Sequence, residues 1–164
     1  PGDVNRLVLC GIGARDSRKT RQIIDSWYAI LKTGEPAAMA EAILPSVFGS
    51  DFLKKYQDIM PDIAAAVVER NQKDALLAQL KALPSYLAPE RMDIQDRIDC
   101  LVLSGSDDPL IKPAEALELA AHLKADHQIV LNAGHSLPVE APEQFKKQVQ
   151  AFLGHPHRGG ADSK

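Results

Sequence analysis

The sequence has little of several features that would each point to a particular class of protein. Only two cysteines occur among its 164 residues, Cys10 and Cys100, and both lie in apolar runs, where a thiol usually behaves as a small buried hydrophobic group. No apolar stretch approaches the ~20 residues that a membrane-spanning helix needs. We therefore expect reduced cysteines and no membrane partner.

The chain also lacks a strong excess of either charge. Its formal net charge is −3, and no block of Lys and Arg is interleaved with aromatic residues. These properties argue against a nucleic-acid partner and favour a small molecule. The 45% of hydrophobic residues is enough for one core of ordinary domain size.

An initiating Met is missing as well. The chain opens with Pro1, and a strand-like run begins almost at once, at Arg6. We expect an inner part of a longer protein, so the lack of a signal peptide says little about the compartment. A cytoplasmic location is the default expectation.

Three short apolar runs predict strands, at residues 6–10, 100–103 and 128–131. The first is expected to be buried on both faces, as in parallel sheets. Helical spacing follows the second and third runs, over residues 113–124 and 142–153. Strands that alternate with helices predict an α/β fold with a parallel sheet and right-handed crossovers.

The segment between the first two strands has helical spacing almost throughout. Its prolines are expected to divide it into four or five helices: Pro36, Pro45, Pro61, Pro84 and Pro89. This segment is far longer than a crossover needs, which predicts an inserted helical cap. The predicted organisation is a core of residues 4–13 and 93–153, a cap of residues 16–90 and a loose tail of residues 154–164.

Chemistry is expected where polar residues follow a strand, because ligands of parallel sheets bind at the carboxyl ends of the strands. Asp107 and Asp108 follow the second strand, and His135 follows the third. Each alone is typical of a turn, a helix cap or a solvated loop. Together, a carboxylate and an imidazole at neighbouring strand ends form the orienting acid and the base of nucleophilic hydrolases.

These two segments resemble a known family. Residues 101–109 (LVLSGSDDP) and 133–145 (AGHSLPVEAPEQF) are similar to the closing third of the α/β-hydrolase fold, including its esterase-like and lactonase-like members. The resemblance implies that Asp108 is the acid, with Asp107 as the adjacent alternative, and that His135 is the base.

The resemblance extends beyond the two motifs. Residues 92–98 resemble the linker that enters the second strand, and residues 4–90 are loosely similar to a core strand followed by a cap. Glu140 and Glu143 are expected to favour the N-terminal dipole of the last helix, with Phe145 packed inward, and to have no catalytic role.

The chain differs from the family in one important respect. Members of the family carry a Gly-x-Ser-x-Gly motif before the cap, whereas the residues around Ser50, Ser106 and Ser136 do not form this motif. The oxyanion loop and the first five strands are missing too. We therefore expect about half of the fold and two members of a triad, with the nucleophile on an upstream segment.

Three functional hypotheses remain open. The first is part of a serine hydrolase acting on a small ester, lactone or thioester. The second keeps the fold but has an Asp nucleophile, as in dehalogenase-like or epoxide-hydrolase-like enzymes. The third is a non-catalytic chain that binds a ligand or associates with itself through the exposed strand edge at Arg6–Cys10, an edge that a companion N-terminal chain would also bury.

No cofactor or metal is expected. Gly11-Ile12-Gly13 lacks the third glycine of a dinucleotide fingerprint, and His155 and His157 have no Cys or carboxylate cluster beside them. Aromatic residues of the cap usually pack it onto the core. Trp27, Phe48 and Phe52 are the candidates for lining a substrate pocket.

Overall fold

The computed structural model describes residues 4–14, 17–83 and 98–155. The predictions for residues 84–97, which include Pro84, Pro89 and most of the linker, and for residues 156–164, which include His157, lie outside the described residues. The elements are β1 (Arg6–Cys10), α1 (Arg18–Thr33), α2 (Pro36–Val47), α3 (Ser50–Lys55), a 3-10 turn (Gln57–Ile59), α4 (Met60–Arg70), α5 (Lys73–Ala82), β2 (Asp99–Gly105), α6 (Pro113–His122), β3 (Asp126–Val130), α7 (Leu137–Glu140) and α8 (Pro142–Gly154).

The three strands form one parallel sheet in the order β1-β2-β3. Val8 lies opposite Leu101, and Leu103 lies opposite Gln128, so β2 is paired on both sides. The predicted parallel α/β arrangement is confirmed. Each strand of such a sheet ends at the same edge, which brings the residues after β2 and β3 together.

Helices cover both faces of the sheet. Leu101 and Leu103 of β2 pack on one face with Val130 and Leu137, and Phe145 of α8 adds to this core as predicted. On the other face, a second cluster joins the sheet to α6: Val102, Ala116 and Ala120. Alternate residues of β2 thus serve opposite cores, and six of its seven residues are buried.

The cap consists of the helices inserted between β1 and β2. Its own core contains Ala40, Leu44 and Phe48 from α2 and its C-cap, and Ala64 from α4. Five α-helices and the 3-10 turn lie in residues 17–83, which agrees with the predicted helical insertion. None of the helices in the described ranges is long and apolar enough to cross a membrane.

Pro45 does not end a helix as expected. It lies inside α2, which continues to Val47. Its position in the last turn limits the damage, because proline there removes a single N–H donor while Leu44 and Phe48 on either side remain buried in the cap core.

The burial of the outer strands also differs from expectation. All five residues of β1 are half-buried rather than buried on both faces, because β1 lies at an edge of the sheet. The third strand was predicted to include Leu131, but β3 ends at Val130, and Ile129 and Leu131 are exposed. Leu117 of α6 is exposed as well.

Candidate active site at the carboxyl edge of the sheet

The turn that follows β2 holds Asp108 in a fixed position. Two backbone hydrogen bonds fasten this turn to the third strand and its loop, from Ser106 N to Val130 O and from Asp107 N to Ala133 O, each 2.9 Å long. The Asp108 side chain is 0% exposed. Its Oδ1 accepts hydrogen bonds from the N–H groups of Leu110 (2.8 Å) and Ile111 (2.9 Å).

His135 meets this carboxylate from the loop after β3. Its Nδ1 lies 2.9 Å from Oδ2 of Asp108, and its side chain is 29% exposed. An ionised carboxylate can only accept a hydrogen bond, so this contact favours the tautomer with hydrogen on Nδ1 and a lone pair on Nε2. Among the described residues, Asp108 is the side-chain partner of the imidazole.

The structure distinguishes between the two adjacent acids. Asp108 is buried and faces His135, whereas Asp107 is exposed. The sequence alone had left Asp107 open as the alternative acid. The structure therefore shows that Asp108, and not Asp107, is hydrogen-bonded to His135.

Glycines let three backbone segments approach each other here. A Cβ on Gly105 would lie 2.2 Å from the carbonyl oxygens of Ala133 and Gly134, and a Cβ on Gly134 would lie 2.3 Å from the backbone N of Gly49. Real Cβ atoms do not make such contacts. The end of β2, the histidine loop and the cap are therefore in direct backbone contact.

Gly11 performs a related role beside the imidazole. It has a positive φ of 65°, and a Cβ there would lie 2.8 Å from Cε1 of His135. In the sequence, this glycine was interpreted only as part of an incomplete nucleotide fingerprint. Its position directly after β1 was the available signal, because the carboxyl end of that strand faces the same edge as the Asp and His.

Glu140 differs from its predicted role. Its carboxylate accepts hydrogen bonds from three backbone N–H groups, those of Gly49 (2.7 Å), Gly134 (2.8 Å) and Ser136 (3.0 Å). Glu140 lies at the end of α7 and its carboxylate contacts backbone groups outside the last helix, whereas Glu143 lies in the first turn of α8 as expected. Gly49 is 91 residues from Glu140, so no local pattern in the sequence reveals its contact with this carboxylate.

The cap reaches the histidine loop at the junction of α2 and α3. The carbonyl oxygen of Val47 accepts hydrogen bonds from the N–H groups of His135 (3.0 Å) and Ser136 (3.2 Å). Phe48, the next residue, is buried and stacks on Phe52 at a centroid distance of 4.7 Å. Phe48 therefore adjoins the site through its backbone.

Trp27 lies elsewhere in the cap. It lines an apolar cavity of about 570 Å³ together with Met39, Ile43, Leu76, Gln79, Leu80, Ala82 and Leu83. Neither Asp108 nor His135 takes part in this lining. The three aromatic candidates thus fall into two places, with Phe48 and Phe52 in one stack and Trp27 in a cavity between α1, α2 and α5.

Both cysteines are free thiols. Cys100 is buried, whereas Cys10 is half-buried at the end of β1. Burial, and then the nearby carboxylate of Asp108, raise the pKa of Cys10 to about 11. This thiol is therefore neutral near pH 7 and is a poor nucleophile.

A second pair of serine and histidine was missed in the sequence. The hydroxyl of Ser104 lies 2.9 Å from Nε2 of His127, and Ser104 is 0% exposed. Ser104 alternates with Leu103, so it faces the α6 side of β2. Because the Ser104 hydroxyl has no access to solvent, it cannot contact a substrate, and the half-buried His127 provides its hydrogen-bond partner on the neighbouring strand.

The described residues contain no group of three or more His, Cys, Asp and Glu side chains that could hold a metal ion.

The serines that were considered as nucleophiles in the sequence are not hydrogen-bonded to the imidazole of His135 within the described part of the chain. Ser106 accepts a hydrogen bond from the N–H of Asn132 through its hydroxyl, and Ser50 begins α3. Neither is hydrogen-bonded to His135.

Comparisons with known proteins agree with this architecture. No protein-family model matches the chain. A curated relative, the pyrrolizixenacetamide deacetylase of Xenorhabdus hominickii, is 26% identical over 158 residues, which are 93% of this chain and 58% of that protein.

Several solved structures superpose on most of this chain. An α/β-hydrolase enzyme from a Medee basin deep-sea metagenome library superposes with a TM-score of 0.76 at 23% identity, covering 93% of this chain and 57% of that one. The enol-lactonase of Burkholderia xenovorans gives 0.73 at 24%, covering 92% and 56%. A thermophilic esterase of Thermogutta terrifontis gives 0.73 at 19%, covering 91% and 55%.

The protein has the α/β-hydrolase fold, and the resemblance seen in its sequence is confirmed at the level of the fold. Its sheet and inserted helical cap correspond to the C-terminal portion of that fold. The chain spans somewhat more than half of the length of the proteins it matches.

Proposed function

We propose that this chain supplies the base and the acid of a catalytic triad in a serine hydrolase that acts on a small ester, lactone or thioester. The observation that carries the proposal is the 2.9 Å hydrogen bond between His135 Nδ1 and the buried carboxylate of Asp108 at the carboxyl edge of the sheet. The names of similar proteins, which include a deacetylase, an enol-lactonase and an esterase, fit an acyl-transfer reaction.

In this mechanism Nε2 of His135 accepts the proton of a serine hydroxyl as the oxygen attacks the substrate carbonyl. Asp108 holds the imidazole in the required tautomer and stabilises the imidazolium that forms. His135 then gives the proton to the leaving group. Water attacks the acyl-serine in the second half of the reaction, with His135 again as the base.

The nucleophile and the oxyanion donors are assigned to a segment that precedes this one in the complete fold. Hydrolases of this fold follow the chain order Ser, Asp, His, which agrees with Asp108 preceding His135. The cap would cover the acyl or alcohol group with apolar side chains, and Phe48 and Phe52 are the proposed ones, because they stack on each other and Phe48 follows Val47, whose carbonyl accepts from His135 N. Small molecules rather than polymers are the proposed substrates.

The same proposal assigns a partner to the edge of β1. Leu7, Val8 and Leu9 are half-buried there, and the strand is paired on one side only within the described residues. A further strand from a companion N-terminal polypeptide would satisfy this edge. In the absence of that companion, a second copy of the chain is the expected occupant.

A fluorophosphonate probe tests the proposal. Intact-mass spectrometry is performed on the purified protein, with everything that copurifies, before and after exposure to the probe. A companion polypeptide that gains the mass of the probe supports a serine hydrolase assembled from two parts. A companion that stays unlabelled while the sample hydrolyses substrate points to an Asp nucleophile, and a chain that is alone and unmodified points to binding without catalysis.

Substitutions at the site sharpen the test. In the active assembly, His135→Ala and Asp108→Asn should each lower kcat by roughly 10³-fold or more, because the base or its tautomer is lost. His122→Ala is the matched control, since His122 is exposed at the end of α6. Equal turnover of the His135 and His122 variants would contradict the assignment.

A further inference from the structure

Glu140 connects two parts of the molecule that are distant in sequence. Its Oε2 accepts hydrogen bonds both from Gly49, at the junction of α2 and α3 in the cap, and from Gly134, the residue before His135. Its Oε1 accepts from Ser136, the residue after His135. A single carboxylate therefore holds the amides on both sides of the histidine and one amide of the cap.

A carboxylate offers two acceptor oxygens to these three donors, and the N–H of Ser136 also has the carbonyl oxygen of Val47 as an acceptor. Both oxygens of Glu140 act as acceptors, whereas a glutamine would present one oxygen and an amide group that can only donate. The amide would point at an N–H group of the backbone. Bonds from N–H groups to an ionised carboxylate are also about twice as strong as neutral ones.

The surrounding backbone is shaped for this contact. A Cβ on Gly134 would lie 3.0 Å from Oε1 of Glu140, and a Cβ on Gly49 would lie 3.2 Å from Oε2. Both glycines are buried, so their N–H groups have lost water and require the protein acceptor. The carbonyl of Val47, which accepts from His135 N at 3.0 Å, adds a second bond between the cap and the same loop.

These contacts give the imidazole ring its direction. The ring of His135 is held at Nδ1 by Asp108 and is flanked by Gly11. The position of the His135 Cα, however, depends on the loop to which Glu140 is hydrogen-bonded. A loop that rotates by a small amount would lengthen the 2.9 Å bond to Asp108. Catalytic groups tolerate little misplacement before activity falls.

We propose that Glu140 is a positioning residue that couples the docking of the cap to the orientation of His135. This role goes beyond the proposed function and, in its catalytic consequence, rests on it. The coupling itself is a property of the fold and exists whether or not His135 takes part in a reaction.

The coupling is measurable on the 164-residue chain without substrate. In Glu140→Gln, amide hydrogen exchange should become roughly tenfold to hundredfold faster at Gly134 and Ser136 and, at the same time, at Gly49 in the cap. The downfield proton resonance of His135 Nδ1–H should broaden or shift. Glu143→Gln is the matched control, because Glu143 is an exposed carboxylate three residues away in the first turn of α8.

Two results would overturn the proposal. If exchange at Gly49 is unchanged while Gly134 and Ser136 open, the cap is not coupled to the loop through Glu140. If the His135 resonance is the same in the Glu140 and Glu143 variants, the carboxylate does not position the imidazole. Because Gln is nearly isosteric with Glu, a folded sample is expected, and Glu140→Asp is the second variant if stability falls.

Turnover separates this inference from the proposed function. In the active assembly, Glu140→Gln should lower kcat by roughly tenfold or more with a smaller change in KM, since substrate contacts remain. A variant with normal kcat, alongside an inactive His135→Ala, would reject the positioning role and leave the triad in place. An active His135→Ala would reject the triad, while the exchange data would still decide on the coupling.

Discussion

At the scale of single residues, the site depends on positions where a side chain is absent. Gly105, Gly134 and Gly49 allow the end of β2, the histidine loop and the cap to touch through their backbones. Gly11 leaves space for the His135 ring. A methyl group at any of these contacts would meet backbone or the imidazole, which cannot move aside as a flexible side chain would.

Gly134→Ala is therefore expected to destabilise the fold by roughly 1–3 kcal/mol, because its Cβ would lie 2.3 Å from the N of Gly49. Urea denaturation followed by circular dichroism measures the change. Gly154→Ala is the control, since a Cβ there has nothing within 4 Å and the residue ends a helix, where alanine is favourable. A comparable loss in both variants would contradict the steric explanation.

Much of the residue-level site was predictable, and the reason is geometric. Asp108 and His135 each follow a strand of a parallel sheet, and such strands end at one edge of the sheet. Their positions directly after neighbouring strands therefore predict that the two side chains lie close together. The same reasoning could not exclude Asp107 as the partner of His135. Side chains of adjacent turn residues point in different directions, and the sequence does not show which one points toward the histidine. The role of Glu140 could not be predicted at all, since two of its three donors are glycine amides.

At the scale of elements, β2 and β3 carry the candidate site at their carboxyl ends, and on the α6 face they carry a second polar pair, the buried Ser104 and the half-buried His127. Burial lowers the pKa of His127 from its ordinary value of 6.5, because the charged imidazolium is poorly solvated beside Ser104. A base with a lowered pKa in the folded state binds protons less tightly than in the unfolded state. Its contribution to stability is therefore present above about pH 6.5 and is lost as the pH falls.

His127→Gln should consequently flatten the loss of stability between pH 7 and pH 5, since glutamine does not titrate there. Urea unfolding midpoints at several pH values provide the measurement. His122→Gln serves for comparison, because that residue is exposed at the end of α6. Identical pH dependence of the two variants would show that His127 is not a source of acid sensitivity.

Helices and strands were predicted well in type and less well at their boundaries. The apolar runs marked all three strands, but β2 begins at Asp99 and ends at Gly105, beyond the predicted 100–103. The strand is longer because backbone pairing with β1 includes Asp99, and backbone pairing with β3 includes Ser104 and Gly105. Pro45 remained in α2 for a similar reason, since packing of its neighbours outweighed the loss of one donor.

At the scale of the whole molecule, the edge of β1 is where we expect the chain to associate with a partner. The chain spans 57% of the hydrolase structure that it matches with a TM-score of 0.76, and β1 is paired on one side within the described residues. An unpaired strand with half-buried apolar residues is a template for a further strand.

The isolated chain is therefore expected to be a dimer or larger, with association reduced by Leu7→Lys. Sedimentation velocity over a range of concentrations measures the mass. Lysine on an edge strand discourages pairing with a further strand. Leu7 is half-buried and lies outside the packed core clusters, so its replacement should leave the fold intact. A clean monomer of the unmodified chain would argue against pairing through this edge.

The sequence by itself determined the parallel α/β order, the helical insertion and the edge at which Asp108 and His135 meet. These follow from hydrophobic periodicity and from the shared direction of parallel strands, which are local properties of the chain. Tertiary structure alone decided the burial of β1, which of Asp107 and Asp108 contacts His135, and the hydrogen bonds made by Glu140. Those outcomes depend on contacts such as that of Gly49 with Glu140, which are 91 residues apart, and no local pattern records which distant backbone groups a side chain will reach.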